Sequence, residues 1–157
     1  MRVFNIFRVE IIFVIMKKII LVLLATICLA SCNKTEEIPF IEMKNYFFRN
    51  DAKIPENVRI DSREEFDGLF GAAAFMGEGG EPTPVDFTRE IVLAVVNPVT
   101  DVATELEPVS LVRDGKSLVL TCKEITGEKQ SWSMRPVLLV KVDRSNDLGM
   151  VRVEKVK

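Results

Sequence analysis

From Tyr46 onward the chain alternates apolar and polar residues with a period near two over most of its length, the pattern of half-buried β-strands. This predicts strands over Lys44–Arg49 and Val58–Asp61, then one helix. Ser62-Arg-Glu-Glu65 forms a capping box, and Phe66, Leu69 and Phe70 recur at helical spacing, with Gly71 placed to end the helix. Gly71 to Pro84 holds Gly77, Gly79, Gly80, Pro82 and Pro84, which predicts a long exposed loop of the kind that often carries function. Ile91–Val96 is apolar on both faces, as a central strand is, and Asn97-Pro98 stops it. Val109–Arg113 and Lys116–Ile125 flank Asp114-Gly115, a favoured two-residue hairpin turn. In the second arm Leu118, Leu120 and Cys122 share the buried face. Ser131–Val142 reads as a long strand whose Pro136 implies an edge or a bulge. Met150–Val156 closes the chain with Val151 and Val153 on one face. The expected class is α+β, mostly β: an antiparallel sheet of five to seven strands with one packed helix, without internal repeats.

The N-terminal region has a different pattern. Lys17-Lys18 precedes the apolar stretch Ile19–Ala30 and the tetrapeptide Leu29-Ala30-Ser31-Cys32. This resembles a bacterial lipoprotein signal, cut before Cys32, which then carries acyl chains. A stretch of twelve apolar residues is short of the roughly 20 that span a bilayer, and the polar Asn33-Lys-Thr-Glu-Glu37 follows it without a stop-transfer pattern. Met16 is the expected start of this signal, with Met1–Ile15 an upstream extension. The expected organisation is signal peptide 1–31, lipidated N-terminus and tether 32–43, and one β-rich domain 44–157. Lys34-Thr-Glu-Glu37 resembles the signals that send some lipoproteins to the outer cell surface, and reads equally well as a solvated linker. The expected location is the outer membrane or cell surface, lipid-anchored.

Composition then narrows the chemistry. Between Cys32 and Lys157 there are 17 basic and 22 acidic residues, a net charge of −5, so the cationic surface that drives non-specific nucleic-acid binding is lacking. With Cys28 in the signal and Cys32 acylated, only Cys122 remains, and no intramolecular disulfide can form. The chain contains no histidine, which removes Ser-His-Asp triads, Cys-His dyads and histidine metal sites. Without an imidazole partner, and on an apolar strand face, Cys122 reads as a core thiol.

Three weaker patterns have plainer readings. Glu64-Glu65, Glu36-Glu37 and Asp86 with Glu90 offer paired carboxylates, but neighbours on one element diverge, and solvated faces and capping explain them. Asp143-Arg-Ser145-Asn-Asp147-Leu-Gly149 echoes a calcium loop, yet its glycine comes one place late and its flanks read as strands, so a polar hairpin loop is expected. Gly77-Glu-Gly79-Gly80 carries acidic neighbours and no following Lys-Ser/Thr, unlike a phosphate cradle. No enzyme activity, cofactor or metal is expected.

The order of elements, from Ser62-Arg-Glu-Glu-Phe66 through the glycine-proline loop and Val85-Asp86-Phe87 before the strand Ile91–Val95, to the hairpin and Arg135-Pro-Val-Leu-Leu-Val-Lys-Val142, resembles the C-terminal domain of the protease complex subunit PrcB family. The resemblance runs from about Ile60 to Val142. It departs at Asn97–Pro108, which stands where a Gly-Gly-Tyr-like segment is expected. It implies a non-enzymatic envelope lipoprotein that binds a protein partner, a secreted subtilisin-like protease, as subunit or inhibitor. Within the expected loop, Ala72-Ala-Ala-Phe75-Met76-Gly77 supplies an apolar tip, and Phe75 and Met76 are the expected partner-binding residues, unless Phe75 folds back over the helix. The other expectation is a structural accessory of an envelope complex, assembled through sheet edges.

Overall fold

The computed structural model describes residues 35–55 and 58–156. The expected signal segment, the expected start at Met16, the expected acylation site Cys32 and the first residues of the expected tether lie outside these. Among the described residues there are ten strands: β1 (Glu36–Glu37), β2 (Ile41–Glu42), β3 (Tyr46–Phe48), β4 (Arg59–Ile60), β5 (Phe70–Ala72), β6 (Glu90–Val96), β7 (Thr100–Asp114), β8 (Ser117–Met134), β9 (Val137–Asp143) and β10 (Met150–Val156). Helix α1 (Arg63–Leu69) and a 3-10 turn (Arg144–Asn146) complete the described elements.

The organising strand is β6, Glu-Ile-Val-Leu-Ala-Val-Val, whose interior positions are buried on both faces. It pairs antiparallel with β9, Ile91 opposite Val142, Leu93 opposite Val140 and Val95 opposite Leu138. Because strand side chains alternate, two cores result. Ile91, Leu93 and Val95 join Leu106, Leu111, Leu118, Leu120 and Cys122 from β7 and β8. Val92 and Ala94 join Phe66, Phe70, Phe48 and Met43 on the opposite side. A strand that is apolar throughout needs cover on both faces, and here a second sheet supplies one and α1 with the β3–β5 ribbon the other. Each fully buried Leu, Ile or Phe contributes about 1.5–3 kcal/mol through the water it sheds.

The mostly-β class with one short helix is as expected, but the sheet arrangement is not. Instead of one antiparallel sheet of five to seven strands, there are two four-stranded sheets, ordered β1-β7-β8-β10 and β2-β9-β6-β4, and a two-stranded ribbon β3-β5. The first is mixed, because β10 runs parallel to β8, with Val151 beside Leu118 and Val153 beside Leu120. Pro136 is the reason one expected strand became two. It lies between β8 and β9, so the chain leaves one sheet there and enters the other, and its carbonyl accepts the amide of Asn97 at 3.0 Å. The loop 144–149 is likewise a crossover between sheets and not a hairpin, since β9 and β10 belong to different sheets.

Local details shift as well. The hairpin turn is Gly115-Lys116, one residue later than expected, because Asp114 pairs with Ser117 and only Gly115 takes a positive φ, 59°. That is the II′ pattern, with glycine at the first central position. Helix α1 starts as expected, with the Ser62 hydroxyl accepting from the Glu65 amide at 3.2 Å, but it ends at Phe70 in extended conformation instead of Gly71. Phe70 enters β5 directly to pair with Phe48, and Gly71 serves another purpose: the Phe47 ring lies where a Cβ would stand, 2.5 Å from it. Within the segment read as tether, Ile38 and Met43 are buried, and Glu36–Glu37 and Ile41–Glu42 pair with β7 and β9.

Candidate functional site

The loop between β5 and Val85 is held from one side by three consecutive residues, Lys44, Asn45 and Tyr46. Asn45 has φ 63°, a left-handed conformation that asparagine tolerates better than most residues. This turn lets its Nδ2 donate to the carbonyls of Gly79 at 2.6 Å and Glu81 at 2.9 Å, while its own carbonyl accepts from the Ala73 amide at 2.8 Å. Lys44 and Thr83 exchange two bonds: the Lys44 amide donates to Thr83 Oγ1 at 2.9 Å, and the Thr83 amide donates to the Lys44 carbonyl at 3.2 Å. The Tyr46 hydroxyl donates to the Thr83 carbonyl at 2.8 Å, and its ring meets Phe66 edge-on with centroids 5.1 Å apart. Burial raises the Tyr46 phenol above its ordinary pKa, so it remains a donor through the neutral range.

The loop also closes on itself. The Phe75 amide donates to the Gly80 carbonyl at 3.1 Å and the Gly80 amide to the Gly77 carbonyl at 3.2 Å. Gly80 must be glycine here, because a Cβ would sit 1.9 Å from the Phe75 carbonyl oxygen. Gly77 and Gly79 take φ values of 125° and 74°, so the turn uses conformations that side chains oppose.

This frame leaves the expected partner-binding residues outward. Phe75 is 59% exposed and Met76 wholly exposed, and Phe75 belongs to neither core. Glu78 and Glu81 lie exposed beside them. What the tip offers is apolar area on a fixed backbone. The sequence draws attention to Phe75 and Met76 by composition alone, and gives little sign of Asn45, Thr83 and Tyr46, which hold the loop that carries them. The one available signal was an asparagine immediately before the apolar strand Tyr46–Phe48.

The other sequence candidates are engaged structurally. Cys122 is fully buried in the core between the sheets, and burial raises its thiol pKa against a smaller opposing effect of Lys155. Glu90 accepts from the Asp86 amide at 2.9 Å and pairs with Lys141 at 2.9 Å. Asp86 accepts from the hydroxyl and amide of Thr88, which lowers its carboxyl pKa. In the calcium-like loop, Asp143 accepts from the Ser145 amide, and Asp147 is gripped by the Arg59 guanidinium and accepts from the Gly149 amide. Arg59 lowers the Asp147 pKa, and Asp147 in turn raises that of Arg59. Among the described residues no group of three metal-ligating side chains converges, and no helix is long and apolar enough to cross a membrane. Comparison with protein families, with curated proteins and with solved structures finds no match to this chain.

Proposed function

We propose that this chain is a non-enzymatic, lipid-anchored envelope protein that binds a secreted subtilisin-like protease at the outer membrane or cell surface through Phe75 and Met76. The supporting observation is the combination of an exposed apolar tip with a loop fastened by at least seven hydrogen bonds from or to its neighbours and itself. A loop already fixed in one conformation loses little entropy on docking, so more of its contact energy appears as affinity. A large apolar side chain in a protease pocket is the kind of anchor that carries most of an interface's energy. The lipid on Cys32 would hold the domain where secreted proteases pass. The resemblance to the protease complex subunit PrcB family supplies the partner class. Chemistry is left to the partner, since a chain without histidine has no imidazole base of its own.

The test is binding of the full chain to a subtilisin-type protease by surface plasmon resonance, comparing wild type with Phe75→Ala. Loss of an anchor side chain weakens binding by about 2 kcal/mol or more, roughly thirtyfold. Unchanged affinity disposes of Phe75 as anchor.

A further inference from the structure

Beyond the loop, the distal half of the β7–β8 hairpin has an unused edge and a groove. Strand β10 pairs with β8 only over Ser117–Lys123, and among the described residues no strand pairs with Ile125–Met134 on the side away from β7. The extension is a two-stranded ribbon, interrupted by register shifts between Thr100 and Thr104. An open edge of this length is one that proteins otherwise cover or blunt, because its free amides and carbonyls template another strand.

The ribbon carries a groove of about 500 Å³ along this stretch, lined by Ala103, Glu105, Ile125, Gln130, Trp132 and Met134 among others. Trp132, the chain's single tryptophan, is 56% exposed, and Ile125 is also exposed. Ile125 faces Glu105 across the ribbon, so an apolar wall and a carboxylate share one face. The Gln130 carboxamide oxygen is buried without a hydrogen-bond partner.

Charge selects the occupant. This part of the ribbon carries five carboxylates, Asp101, Glu105, Glu107, Glu124 and Glu128, and two lysines, Lys123 and Lys129. Lys129 is spent on Asp101 at 2.9 Å, Lys155 of β10 reaches Glu124 at 3.5 Å, and Lys123 stands opposite Glu107 in the register. Glu105 and Glu128 remain without an ion-pair partner among the described residues. A second copy of the same acidic ribbon would bring like charges together, whereas a basic strand would not.

We propose that this edge and groove form a second binding site, taking an extended peptide segment that carries apolar residues and a lysine or arginine on one face, at every second position. The segment adds as a strand to β8, sets apolar side chains against Trp132 and Ile125, and brings a cation to Glu105. This site is independent of the Phe75 loop.

Trp132 makes the test direct, because all tryptophan emission comes from the groove. The full chain is titrated with the peptide acetyl-Val-Thr-Lys-Thr-Val-Thr-amide, whose valines and lysine share one face, and, separately, with acetyl-Val-Thr-Glu-Thr-Val-Thr-amide. The expected result is a saturable emission change with the lysine peptide alone, weakening as salt rises. Glu105→Gln weakens it about two- to fivefold, the range of an exposed ion pair, and Ile125→Asp abolishes it, with circular dichroism verifying that both variants fold. Three results would overturn the proposal: no saturable change up to about 1 mM peptide, corresponding to roughly −4 kcal/mol; equal response to both peptides; or an emission change that follows protein concentration without peptide and accompanies dimers in sedimentation, which would seat a second copy in the groove.

Discussion

Replacing Asn45 separates the two ways it braces the loop. Asn45→Gly keeps the left-handed conformation available and removes both Nδ2 bonds, to Gly79 and Glu81. Each such bond contributes about 0.5–1 kcal/mol net at an exposed position, so this variant loses roughly 1–2 kcal/mol. Asn45→Ala loses the same bonds and also the short polar side chain that eases the left-handed conformation at φ 63°, which adds about 1 kcal/mol, for a total of about 2–3. These losses fall on the loop and not on the two cores. The readout is therefore hydrogen exchange at the Phe75 and Gly80 amides, both bonded within the loop. Protection falls about 5- to 30-fold in Asn45→Gly and about 30- to 150-fold in Asn45→Ala, while amides of β6 keep wild-type protection. Equal effects of the two variants would refute the role of the left-handed backbone. Unaltered protection in both would refute the brace itself.

Three further outcomes follow from the packing and electrostatics. Phe66 is buried against Tyr46, Phe70 and Phe87, with ring centroids 5.1, 5.2 and 5.7 Å away; Phe66→Ala costs about 3–5 kcal/mol, read as a lower urea midpoint with unchanged m-value. Because Arg59 holds the Asp147 carboxyl below its ordinary pKa, the unfolded chain takes up that proton first on acidification. The pair's stabilisation is complete above the unfolded value of about 3.9 and is lost as pH falls from there through the lower folded value. Urea midpoints across that window decline less steeply in Asp147→Asn than in wild type, and equal slopes would contradict the linkage. Cys122 stays unalkylated by iodoacetamide in the native chain and is modified in urea, as mapped by peptide mass spectrometry, since burial removes access and raises its pKa.

What the sequence reveals here depends on how local the determining contacts are. The helix start needs only Ser62 and the amide three residues later, and the buried face of Leu118, Leu120 and Cys122 needs only strand alternation, so both are legible. The apolar run Ile91–Val96 announces a strand covered on two sides. It does not say by what, because the partners come from α1, β7 and β8, distant in the chain. Division into two sheets depends on Pro136 ending β8, where an edge or bulge within one strand was an equally sound reading of the same residue. The parallel placement of β10 beside β8 has no local signature at all. For the loop, glycines and prolines betray its existence and the apolar tip its interest, but the brace comes from residues more than thirty positions earlier, Asn45 to Gly79 and Glu81.

Competition against a small inhibitor that fills the protease specificity pocket addresses the proposed role of Phe75 and Met76 most directly. Full chain is bound to a subtilisin-type protease, and the pocket-filling inhibitor is added while the complex is monitored by fluorescence anisotropy. Displacement that follows occupancy of the pocket is the predicted result. A complex that persists with the pocket fully occupied, or no complex at all, would contradict it.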